Sequence, residues 1–173
     1  WHNACNGFYH AAEKLGKAVE AEVAGKPELA QKWGEAVALQ ERSVDPFLKA
    51  ATACAAGKTE EGDSWNNAGF CFYQAADKLG KAIEAEEAGK PEVAQKWREA
   101  AALQERSVDP FLKAAQAFAA GKTEEGASWD SAGFVFGNAA DTLGKAIEAE
   151  EAGKVSVAQK WREAAALQER SAD

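Results

Sequence analysis

The sequence contains no methionine and no long apolar run. No stretch approaches the roughly 20 apolar residues that a membrane-spanning helix needs, and no charged segment followed by an apolar one marks a secretory leader. We therefore expect no transmembrane segment. Because position 1 is Trp1 rather than methionine, we expect the chain to be processed or cut from a longer protein. The compartment stays open, with the extracellular space or the cell surface favoured over the cytoplasm.

Residues that carry chemistry are also scarce. The two histidines, His2 and His10, lie in the first unit of the chain, and later copies of that unit have none. The three cysteines, Cys5, Cys54 and Cys71, have no regular spacing, which predicts packed thiols rather than a disulfide framework. The later copies cannot supply a Ser-His-Asp, Cys-His or metal-binding set. The sequence predicts a protein that is not an enzyme and has no cofactor or metal.

An excess of basic residues is missing too. The chain has 28 acidic residues against 20 lysines and arginines, which gives a formal net charge of −8. Its lysines and arginines are interleaved with glutamates instead of being gathered into a patch. Because such a surface repels a phosphate backbone, we expect no nucleic-acid partner. The same glutamate-rich faces argue against a role at a membrane surface.

What the sequence does have is a regular internal repeat. Its tryptophans recur every 32 residues, and its Ala-Gly-Lys triplets keep the same spacing. Two kinds of 32-residue unit alternate and make a 64-residue superrepeat, so that residues 65–109 and 129–173 differ at nine of 45 positions. A fixed period of this length is typical of repeat architectures. The tryptophans are Trp1, Trp33, Trp65, Trp97, Trp129 and Trp161.

The repeat predicts one continuous array over residues 1–173 rather than separate domains. Each complete unit begins just after an Ala-Gly-Lys triplet, and a partial unit lies at each end. The complete units are 27–58, 59–90, 91–122 and 123–154, and the partial units are 1–26 and 155–173.

Within a unit the apolar residues step by three and four positions, which predicts one apolar face of a helix. In the third unit this stripe consists of Trp65, Ala68, Phe72, Ala75, Leu79 and Ala82. The triplets predict where helices end, because glycine accepts the left-handed backbone of a helix terminus. The glycines at these turns are Gly25, Gly57, Gly89, Gly121 and Gly153.

Proline and threonine predict further helix boundaries. Pro46 and Pro110 each follow Ser-Val-Asp inside an even unit, and an internal proline breaks or kinks a helix. We expect a break or bend there, with Asp45 as an N-cap. Thr59 and Thr123 are expected N-caps of the odd units. Those units contain no proline, and each could form one long helix or two shorter ones.

An antiparallel hairpin also predicts contacts. If the chain reverses near Lys90, Trp97 lies opposite Ile83 in the preceding helix. By the same spacing Trp33 is expected to touch Val19, and Trp161 to touch Ile147. The tryptophans and these three aliphatic residues are the expected repeat core.

The odd units share a short motif with a known repeat family. Trp65, Ala68, Gly69 and Phe72 resemble the first-helix pattern of tetratricopeptide repeats, which has Trp, Leu, Gly and Tyr at those offsets. The period here is 32, where that family has about 34. The resemblance is therefore to tandem helical repeats in general, and it implies a scaffold that binds a partner.

These observations predict an all-α fold of tandem antiparallel hairpins, either an α-solenoid or an elongated bundle. Neither end shows the polar cap that repeat arrays use to stay soluble. We therefore expect a structural protein that self-associates through its chain ends into a filament, a tube or a surface layer. The alternative is a scaffold for a protein or peptide, with a groove whose side chains differ between copies, such as Tyr73 against Gly137.

Overall fold

The computed structural model describes residues 2–170, and every regular element in that range is a helix. No strand occurs among these residues, so the all-α prediction is confirmed. In chain order the helices are α1 (His2–Val23), α2 (Pro27–Glu41), α3 (Val44–Ala55), α4 (Thr59–Glu87), α5 (Pro91–Arg106), α6 (Val108–Ala119), α7 (Thr123–Glu151) and α8 (Val155–Arg170).

Each Ala-Gly-Lys triplet ends one helix and leads directly into the next. Its glycine has a φ between 71° and 75°, in the left-handed region that favours glycine. At Gly89 the backbone N–H donates to the Glu86 carbonyl at 3.0 Å, and the Lys90 N–H donates to the Ala85 carbonyl at 2.9 Å. This pair of bonds is a Schellman cap, and it recurs at the other four triplets. The chain therefore reverses tightly at all five positions.

The helices that follow these turns begin without a side-chain cap. We expected Thr59 and Thr123 to be N-caps, but each is the first residue inside its helix. The flanking positions are Lys58 and Lys122, and neither side chain makes a capping bond. The expectation was wrong because the triplet's lysine already ends the turn, so the threonine has entered the helix.

The two proline motifs mark breaks between a longer and a shorter helix. Only Ser107 separates α5 from α6, and its hydroxyl donates to the Gln104 carbonyl at 2.5 Å. The short helix starts at Val108, so Pro110 lies in its first turn, where a missing N–H costs nothing. Pro46 has the equivalent place in α3. The expected cap at Asp45 was wrong, since α3 already begins one residue earlier.

The long helices form the centre of the packing. Each of α4 and α7 is a single helix of 29 residues, which settles the choice between one helix and two. Helix α4 packs against α3 and α5, its neighbours along the chain, and also against α2 and α6. Helix α7 packs in the same way against α5, α6 and α8. A long helix therefore contacts the helices of both the preceding and the following unit.

Candidate functional site

Two buried junctions between superrepeats show how one long helix meets the helices before it. In the first, Trp33 of α2 packs with Ala18, Ala36 and Ile83. In the second, the corresponding cluster contains Trp97 of α5 with Ala82, Ala100 and Ile147. The two indole rings are only 3% and 4% exposed. Each ring is enclosed between the long helix before it and the long helix after it.

These clusters correct the contacts that we expected from the hairpin. Ile83 belongs with Trp33 rather than Trp97, and Ile147 belongs with Trp97 rather than Trp161. Val19, the expected partner of Trp33, is 51% exposed. The physical reason is that successive helical residues point about 100° apart. Within the hairpin Trp97 packs against Ala82. The next residue, Ile83, therefore points toward Trp33 in the preceding superrepeat.

Each junction also places a glycine beneath the indole. A Cβ added to Gly80 of α4 would lie 3.5 Å from Cζ3 of Trp33, and one added to Gly144 of α7 would lie 3.4 Å from Cζ3 of Trp97. The third glycine of this series, Gly16 of α1, has nothing within 4 Å of its Cβ position. The surface that receives an indole in α4 and α7 is therefore open in α1.

Lysines cover the outer edge of the buried rings. The Lys17 ammonium lies 4.4 Å from the centroid of Trp33, and that of Lys81 lies 4.5 Å from the centroid of Trp97. Each ammonium also pairs with a glutamate of the next long helix: Lys17 with Glu84 at 2.5 Å and Lys81 with Glu148 at 3.2 Å. A single side chain thus joins a cation–π contact to an ion pair across the junction.

A second carboxylate crosses each junction. Glu86 of α4 accepts hydrogen bonds from Lys32 of α2, at 2.5 Å, and from Arg98 of α5. Both hydrogen bonds hold the pKa of the Glu86 carboxyl below its ordinary value, and the bond from Lys32 has the larger effect. Glu150 has the same arrangement with Lys96, at 2.8 Å, and Arg162, and its pKa is lowered as well. The sites favour ionised glutamates.

A buried polar group at the second junction did not figure in the sequence analysis. Lys78 is only 7% exposed, and its ammonium donates to Gln104 at 3.0 Å and to Asp141 at 2.8 Å. The Gln104 amide in turn donates to Gln74 at 3.0 Å. Recurrence of glutamine at positions 40, 104 and 168 was the available signal, although composition alone suggests a solvated lysine. This network joins α4, α5 and α7.

The tryptophans of the long helices have different surroundings. Trp65 and Trp129 are half-buried and belong to none of the apolar clusters found among residues 2–170. Lys49 and Lys113, from the short helices α3 and α6, lie over them at 4.5 and 4.4 Å. Trp1 lies outside the described residues. The expected tryptophan core thus divides into two kinds of site.

In α8, the last described helix, the residues that correspond to buried junction residues are exposed. Trp161 corresponds to Trp33 and Trp97 by sequence, yet it is 37% exposed. Leu167 is 65% exposed, whereas its counterparts Leu39 and Leu103 are both 8% exposed. We call this region the tryptophan surface, and it consists of Val157, Trp161 and Leu167 with Lys145 and Lys160 at its edge.

Helix α1 likewise exposes residues that correspond to junction residues of the long helices. Phe8, Leu15 and Val19 are exposed, whereas their counterparts in α4 and α7 belong to or pack against the apolar clusters. We call this region the α1 surface, and it consists of Phe8, Leu15, Gly16 and Val19 with Glu20 and Glu22 at its edge. The α1 surface thus exposes residues whose counterparts in α4 and α7 are buried or packed at the junctions.

Metal-binding clusters, disulfides and membrane-spanning helices are absent from residues 2–170. Nowhere in residues 2–170 do three or more His, Cys, Asp or Glu side chains gather in a way that could hold a metal ion. The three thiols, two exposed and one buried, form no disulfide. No described helix combines the length and the apolar character needed to cross a membrane. The tryptophan and α1 surfaces are therefore the features that a function has to explain.

The comparisons with known proteins give no relative. No protein-family model matches the chain, and neither a curated protein nor a solved structure matches it. Functional inference therefore depends on these two surfaces and on the grooves between the helices.

Proposed function

We propose that the chain is a non-catalytic structural protein whose helical hairpins form an α-solenoid array, and whose copies associate end to end. The assembly is a filament, a tube or a component of a surface layer. One observation carries the proposal: the tryptophan surface and the α1 surface expose the same kinds of side chain that the two internal junctions bury.

Solubility supports association at these surfaces. Leu167 and Phe8 present large apolar side chains to solvent, at 65% and 59% exposure. Burying such side chains yields roughly 25 cal/mol for each Å² of apolar surface removed from water. A partner that covers both regions therefore stabilises the chain.

The difference between the two surfaces determines what kind of assembly they can form. A contact between unlike surfaces leaves one of each kind open on every dimer, so that a third copy can add. Such growth continues as a filament or tube unless the rotation between copies closes a ring. The structural role follows from this capacity to grow.

Sedimentation velocity over a concentration series tests the proposal, and negative-stain electron microscopy of the same samples shows the shape of any assembly. We expect the weight-average sedimentation coefficient to rise steadily with concentration, and elongated particles to appear. A chain that sediments as a monomer at every concentration would overturn the proposal.

The second candidate function is a scaffold for a peptide or protein, and one groove favours it. Between α4 and α7 lies an open groove lined by Tyr73, Asp77, Lys78 and Asp141, among others. The next copy has Gly137 at the position of Tyr73, so the groove surface varies between units. Tyr73→Gly should abolish capture of a specific partner in a pull-down, whereas a structural protein without this function loses nothing.

A further inference from the structure

We infer that copies join head to tail in the register of the internal junctions, with α1 of one copy lying on α8 of another as α7 lies on α5. The partner of the tryptophan surface is thus the α1 surface of a second copy of this chain. The inference rests on the proposed function and adds to it the identity of the contact and its polarity.

Shape is the first argument for this register. In the internal junctions an indole rests on a helical glycine, Trp33 on Gly80 and Trp97 on Gly144. The next tryptophan after Trp33 and Trp97 at the 64-residue spacing is Trp161. Gly16 precedes Gly80 and Gly144 at the same spacing, and its Cβ position is open. Continuing the 64-residue period therefore places Trp161 of one copy on Gly16 of the next.

The aliphatic side chains continue in the same register. Leu103 packs with Ala139, Ala140 and Phe136 of the following long helix. One superrepeat further on, Leu167 faces the positions of Ala11, Ala12 and Phe8 in a second copy. Likewise Val19 stands where Ile83 and Ile147 meet their indoles. Trp161 and Leu167 thus each meet apolar positions of α1 in this register.

The first internal ion pair also has a continuation. Lys17 and Lys81 each bridge an indole and a glutamate of the next long helix. Lys145 lies 5.2 Å from the centroid of Trp161, but no carboxylate pairs with it among the described residues. In the inferred contact the next member of the glutamate series, Glu20 of the second copy, is the acceptor.

The second ion pair behaves in the same way. Lys32 and Lys96 reach Glu86 and Glu150 at 2.5 and 2.8 Å. The corresponding residues at the open surfaces are Lys160 and, in a second copy, Glu22. Neither has an ion-pair partner within residues 2–170. The charges are therefore complementary between the surfaces and alike within each of them.

Charge also decides against symmetric pairing. Two tryptophan surfaces placed face to face would bring Lys145 and Lys160 of one copy against the same lysines of the other. Two α1 surfaces would oppose Glu20 and Glu22 in the same way. Like charges at an interface are repulsive and disfavour the pairing, whereas the head-to-tail contact turns the same groups into ion pairs.

Helix α1 differs from α4 at the positions that receive a short helix. In α4, Gly69 and Phe70 receive the ring of Phe47 from the short helix α3, with the two phenyl centroids 5.3 Å apart. Helix α1 has Cys5 and Asn6 at these positions and so lacks the glycine and the phenylalanine. It keeps the residues that face a tryptophan helix and departs where a short helix would pack.

Two substitutions block the two surfaces separately. Gly16→Arg places a long charged side chain where the indole of a second copy would rest. Leu167→Arg places one on the tryptophan surface, where Phe8 of a second copy would pack. Both positions are open in the chain, so the fold should be retained, as circular dichroism and the melting temperature will show. Each should weaken association at least about tenfold, because a charge in the centre of an apolar contact is left without a partner.

The matched control is Gly34→Arg. Gly34 is also a helical glycine with nothing within 4 Å of its Cβ position, and the other copies have Arg98 and Arg162 there. It adds the same side chain outside the apolar part of the inferred contact, at the position from which Arg98 and Arg162 reach Glu86 and Glu150. We expect this variant to associate at least as strongly as the unmodified chain.

Mixing the two blocked variants tests polarity. Gly16→Arg leaves the tryptophan surface intact, and Leu167→Arg leaves the α1 surface intact, so an equimolar mixture should form dimers that grow no further in sedimentation velocity. If the unmodified chain associates but the blocked variants associate equally well, or if their mixture stays monomeric, the inferred register is wrong and the proposed function stands. If the unmodified chain stays monomeric, the proposed function fails and this inference with it.

Discussion

Trp33 and Trp97 in α2 and α5 are enclosed by apolar side chains, whereas Trp65 and Trp129 in α4 and α7 are half-buried beneath a lysine. All four belong to one series with a period of 32 residues, so sequence spacing does not separate them. The difference arises from the helices that approach each ring. The following long helix covers the first pair, whereas a lysine of the preceding short helix lies over each ring of the second.

The even-unit tryptophans thus take part in contacts between superrepeats, which the odd-unit tryptophans do not do in the same way. The clusters of the even-unit tryptophans contain residues from three helices, together with a glycine and the ion pairs of the junction. The odd-unit tryptophans mainly cover the seam between a short and a long helix. Substitutions at closely packed and at open or half-buried positions should therefore have different consequences, and the predictions below compare the two.

Removing an indole should have the largest effect. Trp97→Ala leaves a cavity at a buried junction and should lower the free energy of unfolding by about 3–5 kcal/mol. Trp129→Ala removes a half-buried ring and a cation–π contact, with an expected loss of ~1–2 kcal/mol. Urea denaturation followed by circular dichroism measures both. Equal losses would contradict the division into two kinds of tryptophan.

A methyl group added at a close approach should have the next largest effect. In Gly133→Ala the new Cβ would lie 2.8 Å from the buried ring of Phe111, so the ring or the helix must shift. Overpacking of this kind costs about 1–3 kcal/mol of unfolding free energy. The melting temperature should fall accordingly, and an unchanged value would show that α6 and α7 are further apart than described.

The same substitution on the open surface should act in the opposite direction. Gly16 has space around its Cβ position and lies inside α1, where alanine favours the helix by up to about 1 kcal/mol. Gly16→Ala should therefore raise the melting temperature of the chain. Association should be retained, because the Cβ positions of Gly80 and Gly144 lie at ordinary contact distance from their indoles. A lower melting temperature would refute the open geometry.

The smallest expected effect is the pH dependence of the stability that Glu86 contributes. Because the pKa of Glu86 is lowered in the folded state, its contribution is present above the ordinary carboxyl pKa of 4.5 and is lost as the pH falls through the lower folded value. Solvent screening limits it to ~0.5–1 kcal/mol, since the side chain is 37% exposed.

Glu86→Gln should accordingly destabilise the chain at neutral pH and make no difference at low pH. Glu22→Gln is the control, since Glu22 is the counterpart of Glu86 on the open α1 surface and has no ion pair within residues 2–170. Urea denaturation at several pH values measures both variants. An equal pH dependence for the two would show that the junction does not hold Glu86 in its ionised form.

Much of the fold could be predicted from the sequence because its signals are local. A glycine at a helix terminus and a proline in the first turn act on their own backbone, and the turn at Gly89 and the break before Pro110 lie near the expected positions. The partner of Trp97 could not be found in this way. It depends on the rotation of each helix about its axis, which is set by packing against a third helix.

The network around Lys78 was missed for a similar reason. A lysine beside an aspartate indicates a solvated face by composition, and the approach of α5 and α7 makes this one buried. Self-association through the chain ends is proposed from the sequence pattern, whereas the proposed register depends on the internal junctions, because periodicity does not show which residues are buried there.

Zero-length carbodiimide cross-linking, with the linked peptides mapped by mass spectrometry, tests the head-to-tail contact most directly. The reagent joins lysine to glutamate only where they meet, so Lys17–Glu84 and Lys81–Glu148 within one chain serve as internal controls. The account predicts that the dimer band contains a link between Lys145 of one copy and Glu20 of another. A dimer band that contains both internal links but lacks this one would contradict the inferred contact.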